Sequence, residues 1–101
     1  MAFIRPNPIP NTSIVAEQAY WRIATFSENP KDNINVVFYC YPSQADYLNH
    51  TGGVINSHQV DIPAGDLTGE GAYRELIYLW CYANDPFFDP LSTGTTADTN
   101  D

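Results

Sequence analysis

The sequence predicts an α+β fold: a small, mostly antiparallel β-sheet with one C-terminal helix packed across a face. Two observations carry this prediction. Apolar and polar side chains alternate with the two-residue period of strands over much of residues 20–62, and the period becomes helical over residues 70–82. The length of 101 residues suits one domain with a modest core. A closed, barrel-like sheet is the main alternative.

The N-terminal segment, residues 1–13, is predicted to be an extended arm. Pro6, Pro8 and Pro10 alternate along it, and proline lacks the N–H group that a strand ladder needs. We therefore expect this arm to stay outside the sheet of its own chain and to lie on a neighbouring subunit. A flexible terminus and an arm folded back on its own helix are the alternatives. Its apolar anchors and its one cation are Phe3, Ile4, Ile9 and Arg5.

Three segments are predicted to be strands. Residues 20–26 are rich in aromatic and β-branched side chains, and residues 54–62 alternate until Pro63 ends them. Residues 33–41 alternate most regularly, and the turn-forming residues 27–32 join them to the first strand as an antiparallel hairpin. The face predicted to enter the core carries Ile34, Val36, Phe38 and Cys40.

Helical signals occur at two places. Ser43 suits an N-cap position, with an acid three residues later, and predicts one helical turn through Leu48. Residues 70–82 have helical spacing, and Asn84 and Pro86 are suited to ending that helix. This second helix is apolar on nearly all sides, so both of its faces need covering.

One face of the second helix predicts which side chain enters the core. Ala72, Leu76 and Trp80 share that face, so we expect Trp80 to lie between helix and sheet. Residues 91–101 consist of small and acidic side chains without aromatics, and are predicted to be a disordered acidic tail. The predicted organisation is thus an arm over residues 1–13, one domain over 14–90 and a tail over 91–101.

The charge balance limits the partners. The chain has 12 acidic residues against 4 basic ones, a formal net charge of −8, which repels phosphate backbones and anionic membranes. We expect no nucleic-acid or membrane partner. No apolar run is long enough for a membrane span or a signal peptide, so a reducing cytosol is expected. There, Cys40 and Cys81 are predicted to be free buried thiols, with one disulfide as the alternative.

Few residues suggest catalysis. His50 and His58 lack the spacing of a metal site, and a solvent-facing or partner-facing histidine explains each more simply. Cys40 lies mid-strand on the apolar face, where it acts as a small hydrophobe. We therefore predict no catalytic residue, cofactor, metal or small-molecule substrate. An acid pair suited to glycoside chemistry is the alternative interpretation of Asp61, Asp66, Glu70 and Glu75, and a solvated acidic surface explains these residues better.

The aromatic content suggests assembly. Aromatic residues make up 14% of the chain, more than one small core needs, and Tyr and Trp are favoured at protein interfaces. Phe87 and Phe88 stand between two Asp-Pro pairs, which predicts one ring in the core and one in a docking patch. The residues predicted to form protein contacts are Phe3, Ile4, Arg5, Ile9, Tyr39, Tyr41, Tyr78 and Phe88.

Several local patterns together resemble small structural proteins in the virions of tailed bacteriophages. They are MAFIRP at residues 1–6, AYWRI at 19–23, VVFYCY at 36–41, GAYREL at 71–76 and PFFD at 86–89. The resemblance implies a non-enzymatic protein of the tail, baseplate, neck or fibre-attachment region. Such a protein is assembled in the host cytoplasm and contacts other virion proteins or copies of itself.

Two other functions are alternatives. A small acidic intracellular inhibitor can imitate DNA and block a DNA-binding host protein. Its acids should form a stripe, whereas the acids here are scattered over loops and the tail. A small hydrolase is the third and weakest alternative.

Overall fold

A computed structural model describes residues 2–29, 33–50, 53–67 and 73–98. The helices are α1 (Gln44–Asn49), α2 (Tyr73–Asn84) and α3 (Pro90–Thr93). Short 3-10 turns cover Ala64–Asp66 and Pro86–Phe88. The strands are β1 (Ala2–Ile4), β2 (Asn7–Pro8), β3 (Val15–Ala16), β4 (Tyr20–Asn29), β5 (Asn33–Tyr41), β6 (Asn56–Pro63) and β7 (Thr96–Asp98).

Five strands form one curled antiparallel sheet, in the order β6-β5-β4-β1-β7. Strands β2 and β3 form a separate two-stranded ribbon. The predicted α+β class with a mostly antiparallel sheet is confirmed. Within the described residues, no helix is long and apolar enough to cross a membrane.

The central hairpin follows the sequence pattern closely. Strand β5 covers the predicted residues 33–41 and pairs with β4, so that Trp21 opposes Cys40 and Ile23 opposes Phe38. These four side chains are buried on the core face. The alternation of apolar residues fixed this register, because a shift by one residue would turn the whole apolar set to the other face.

A bulge in β4 ties the sheet to helix α2. The register shifts between Ile23 and Thr25, and a bulge of this kind disrupts the local ladder. Two side chains of α2 contact the backbone there. The Ile23 N–H donates to Tyr78 Oη at 2.8 Å, and Arg74 Nη2 donates to the Ile23 carbonyl at 2.6 Å. The helix is therefore positioned by hydrogen bonds as well as by apolar packing.

Strand β1 occupies an interior position of the sheet, between β4 and β7. The prediction that the N-terminal segment stays outside the sheet of its own chain is wrong. The prolines that motivated it begin at Pro6, whereas β1 ends at Ile4 and keeps its ladder donors. Phe3 opposes Trp21 in β4 and Ala97 in β7, and its side chain is buried.

The core is largely aromatic and centres on Phe3. The ring centroid of Phe3 lies 4.4 Å from that of Phe88, 5.4 Å from Tyr78 and 6.0 Å from Phe38. Such tilted and edge-on pairs stabilise a core beyond the area that they bury. Residues that the sequence assigned to an arm, a strand, a helix and a loop therefore meet in one cluster.

Residues 91–98 of the predicted tail contain a helix and a strand, which corrects the prediction there, while residues 99–101 lie outside the described residues. Asp89 caps α3 by accepting from the Leu91 N–H at 2.9 Å, and Gly94 ends the helix in the left-handed conformation, with φ of 72°. Strand β7 then pairs with β1. The sheet thus joins strands from the predicted arm, domain and tail, and α2 is not the last element of the chain.

The helix predictions are met in part. Helix α1 begins after Ser43, whose Oγ accepts from the Asp46 N–H at 3.1 Å, as predicted. Helix α2 ends at Asn84, while its predicted start at residues 70–72 lies outside the described residues. The core face of α2 carries Ile77, Tyr78 and Cys81, and Trp80 is only partly buried at the edge of the core.

Candidate protein interface

The outer face of the sheet, opposite the core, is rich in tyrosine. Residues alternate between faces along β4 and β5, so the pairs Tyr20–Tyr41 and Arg22–Tyr39 lie on the outer side. Helix α1 adds Tyr47 at one end. We call the surface formed by Arg22, Val37, Tyr39, Tyr41 and Tyr47 the tyrosine face.

Ring contacts hold this surface in a fixed arrangement. The centroids of Tyr41 and Tyr47 lie 4.9 Å apart with an interplanar angle of 62°, and Tyr20 lies 5.5 Å from Tyr47. The guanidinium carbon of Arg22 lies 4.9 Å from the Tyr47 centroid, within cation–π range. Tyr39 projects furthest, with 39% of its surface exposed. The face is therefore preorganised and still accessible.

The phenol group of Tyr41 on this face remains neutral at neutral pH. Burial raises the pKa of Tyr41, and the neighbouring Tyr47 and Tyr39 hydroxyls raise it further, while Arg22 lowers it. At neutral pH the Tyr41 hydroxyl is therefore protonated, so it can both donate and accept a hydrogen bond. Tyrosine side chains combine an apolar ring with a polar hydroxyl, which suits contact with another protein.

The residues predicted as interface residues divide into three groups. Tyr39 and Tyr41 lie on the tyrosine face, and Ile4 opposes Tyr20 on the same side of the sheet. Arg5 and Ile9 are partly buried in the N-terminal segment. The remaining residues, Phe3, Tyr78 and Phe88, are buried in the core of their own chain and are not available to a partner in this fold.

Each of these buried rings has a local reason for its position. Phe3 is placed by the pairing of β1, and Tyr78 bonds the backbone at the bulge through its hydroxyl. Phe88 turns inward because Asp85 caps the 3-10 turn that carries it, by accepting from the Phe87 N–H at 3.0 Å. The partner-facing role predicted for Phe88 is thus replaced by a core role, and Phe87 is the more exposed ring.

A second cluster joins the two halves of the chain around Phe87. Arg5 Nε donates to the Phe87 carbonyl at 2.9 Å, and the guanidinium carbon lies 3.9 Å from the Phe87 centroid. His58 stacks on the same ring at 4.0 Å, and its Nε2 lies 2.9 Å from Asp85 Oδ2. The arrangement fastens the segment after α2 to β6 and to the N-terminal segment, which is a structural role.

The two cysteine thiols are weak nucleophiles. Cys40 and Cys81 are free and buried, as predicted, and burial raises the pKa of each thiol from 9.0 to about 12. Such thiols stay protonated at neutral pH and react slowly. In the described part of the chain, no group of three or more His, Cys, Asp or Glu side chains is arranged to hold a metal ion.

The sequence prediction did not include some residues of the exposed surfaces. Arg22 has the same strand parity as Tyr20, so the alternation of β4 could have placed it on the outer face. Tyr47 had no such signal, because its position depends on how α1 folds back. Ile14 and Val15 are also exposed, and the turn-forming residues 11–13 before them were the available signal for a ribbon.

Comparisons with family models, with curated proteins and with solved structures found no match to this chain. The exposed surfaces of the chain are therefore the basis for a functional proposal.

Proposed function

We propose that this chain is a non-enzymatic structural protein of a tailed-bacteriophage virion, in the tail, baseplate or fibre-attachment region. It acts through protein–protein contacts made by the tyrosine face. The observation that carries the proposal is the exposed aromatic surface on the side of the sheet away from α2. The resemblance of the local motifs to small virion proteins adds the biological setting.

The chemistry of the tyrosine face supports a role in binding proteins. Tyrosine and arginine are enriched at interface centres, because a ring buries a large area at a small entropy cost and its hydroxyl finds polar partners. Tyr39, Tyr41 and Arg22 bring both types together on two adjacent strands. A rigid sheet carries them, so little ordering is required on binding.

The charge distribution supports a protein partner over a nucleic acid. The chain carries a net charge of −8, and the described arginines face internal acceptors or rings. Arg5 and Arg74 donate to backbone carbonyls, and Arg22 lies over Tyr47. A phosphate backbone would find few available cations here.

Quantitative mass spectrometry of purified virions tests the proposal. We expect the chain at a fixed copy number per particle, and expect Tyr39→Ala to lower its incorporation. Leu91→Ala is the matched control, because Leu91 is exposed and lies on α3, away from the tyrosine face. Absence from virions, together with recovery on a DNA-binding host protein from infected cells, would favour the DNA-mimic inhibitor instead.

A further inference from the structure

A second exposed apolar surface lies on the ribbon formed by β2 and β3. We call residues 6–16 the proline hairpin. Its two strands place Pro8 opposite Val15, and Asn7 opposite Ala16. Asn7 and Ala16 are buried, whereas Val15 is 44% exposed and Ile14 at the turn is 61% exposed. One side of the hairpin is thus held by its own domain, and the other presents apolar groups to solvent.

The hairpin is rigid before it meets a partner. Ile9 N–H donates to the Ile14 carbonyl at 2.9 Å, and Thr12 Oγ1 donates to the Ile9 carbonyl at 2.9 Å. Asn11 takes the left-handed conformation that the turn requires, with φ of 64°. Asn56 Nδ2 donates to Asn7 Oδ1 at 3.0 Å and ties the hairpin to the start of β6. The entropy lost on docking is therefore small.

The hairpin and the central strand of the tyrosine face are both uncharged in a strongly acidic chain. Residues 6–16 and residues 33–45 contain no charged side chain, while the whole chain has a net charge of −8. Two copies would repel each other through most surfaces. Neither of these two segments contains a carboxylate, so the net charge opposes contact between them less than it opposes contact between acidic surfaces.

We propose that the proline hairpin of one copy docks on the tyrosine face of a second copy. Flat aromatic surfaces bind exposed prolines and extended segments, whose restricted backbones lose little freedom. Pro8 and Pro10 are exposed beside Ile14 and Val15, and Tyr39 and Tyr41 supply the rings. This inference deepens the proposed function, on which it rests, by naming a second copy as a partner of the tyrosine face.

The proposed contact is head-to-tail, because it joins two different surfaces. Within one chain, Arg5 at the base of the hairpin contacts Phe87 on the core side of the sheet. The hairpin and the tyrosine face are therefore separate surfaces of one copy, and in the proposed assembly each contacts a different neighbour. Such a contact produces a ring if the rotation closes and a filament if it does not.

Sedimentation velocity of the full chain tests the pairing with two variants. Ile14→Ser with Val15→Ser removes the apolar side of the hairpin, and Tyr39→Ser removes the most exposed ring of the tyrosine face. We expect the unmodified chain to assemble beyond a dimer as its concentration rises, and each variant alone to be monomeric. An equimolar mixture of the two variants keeps one intact surface of each kind, so it should form a one-to-one heterodimer and nothing larger.

The controls separate assembly from folding. Both variants should keep the circular dichroism spectrum of the unmodified chain, and Leu91→Ser should assemble like it. A monomeric unmodified chain at millimolar concentration overturns the inference. So does a result in which the hairpin variant is monomeric but Tyr39→Ser still assembles, since that outcome means a symmetric hairpin-to-hairpin contact. A chain that is found in virions but stays monomeric overturns this inference and leaves the proposed function standing. A chain that assembles with itself but is absent from virions supports this inference and overturns the proposed function.

Discussion

At the scale of single residues, Tyr78 shows how a polar group is accommodated in the core. The bulge in β4 lies next to Ile23, whose backbone N–H faces helix α2. The Tyr78 hydroxyl accepts from the Ile23 N–H at 2.8 Å. Arg74 binds the carbonyl of the same residue. A tyrosine at this position is therefore explained by the bulge, and a phenylalanine would fill the space without satisfying the donor.

Tyr78→Phe should destabilise the fold by about 1–3 kcal/mol, the cost of leaving a buried donor without its acceptor. A shift of the urea unfolding midpoint measures the loss. Tyr39→Phe is the matched control: Tyr39 is exposed, so its free energy of unfolding should change by less than about 0.5 kcal/mol. Equal effects of the two substitutions would contradict the role assigned to the Tyr78 hydroxyl.

The two buried thiols should make the fold sensitive to alkaline pH. Burial raises the pKa of Cys40 and of Cys81 to about 12, whereas in the unfolded chain the thiols titrate near their ordinary value of 9.0. Between these values the folded state binds more protons, so stability falls as pH rises from about 9 towards 12. Below pH 9 the thiols should add no pH dependence.

Thermal melts across this pH range test the prediction. The variant with Cys40→Ala and Cys81→Ala should lose less melting temperature between pH 9 and pH 11 than the unmodified chain. The difference between the two chains in the change of melting temperature with pH gives the contribution of the thiols, because tyrosines, which also titrate in this range, are present in both. A disulfide-exchange reagent should label both thiols slowly in the native chain and rapidly in denaturant. Rapid native labelling would show that the thiols are accessible.

At the scale of elements, strand β1 makes the first residues of the N-terminal segment part of the sheet. It lies between β4 and β7, and Phe3 lies among the rings of Phe88, Tyr78 and Phe38. The apolar residues of the segment therefore serve two roles. Phe3, before Pro6, stabilises the chain itself, whereas Ile14 and Val15 of the proline hairpin remain exposed.

Phe3→Ala should therefore cost roughly 3–5 kcal/mol, as other truncations of buried aromatic side chains do. Denaturant unfolding of the full chain measures this loss. The control is Ile14→Ala, where an exposed side chain is shortened within the same segment and the midpoint should hardly move. If Phe3→Ala leaves the midpoint unchanged, β1 is not part of the stable sheet.

The elements also show what sequence patterns can predict. The hairpin of β4 and β5 follows from local alternation, and helix α1 follows from its Ser43 cap. The position of β1 does not, because its partners β4 and β7 are far away in the sequence and no local pattern selects between an interior and an outlying strand. For α3, local signals are present, since Asp89-Pro90 suits a helix start and Gly94 a helix end. The low apolar content of residues 91–101 nevertheless predicts a disordered tail there.

In the candidate interface, too, the residues on regular strands were predictable, and those placed by tertiary contacts were not. Tyr39 and Tyr41 follow from the parity of β5, whose second face had too many rings for a solvated surface. Tyr47 joins them only because α1 packs beside β5, which is a tertiary effect. The buried positions of Phe3, Tyr78 and Phe88 were missed for the same reason: aromatic excess does not distinguish an interface from an aromatic core until the topology is known.

At the scale of the whole molecule, charge repulsion opposes folding and assembly alike. The net charge is −8, and the described arginines contact backbone carbonyls and aromatic rings. A compact acidic chain of this kind is destabilised by its own field, which salt screens.

The melting temperature should therefore rise when the ionic strength increases from 0.01 M to 0.15 M, because the screening length falls from about 30 Å to about 8 Å. Hydrogen bonds from arginine to backbone carbonyls are short-ranged and change little over this interval. Glu17→Lys provides the control: Glu17 is exposed, and replacing −1 by +1 changes the net charge from −8 to −6. This variant should melt higher at low salt and gain less from added salt than the unmodified chain. A melting temperature that falls with salt would mean that charge attraction, and not self-repulsion, governs the stability of the fold.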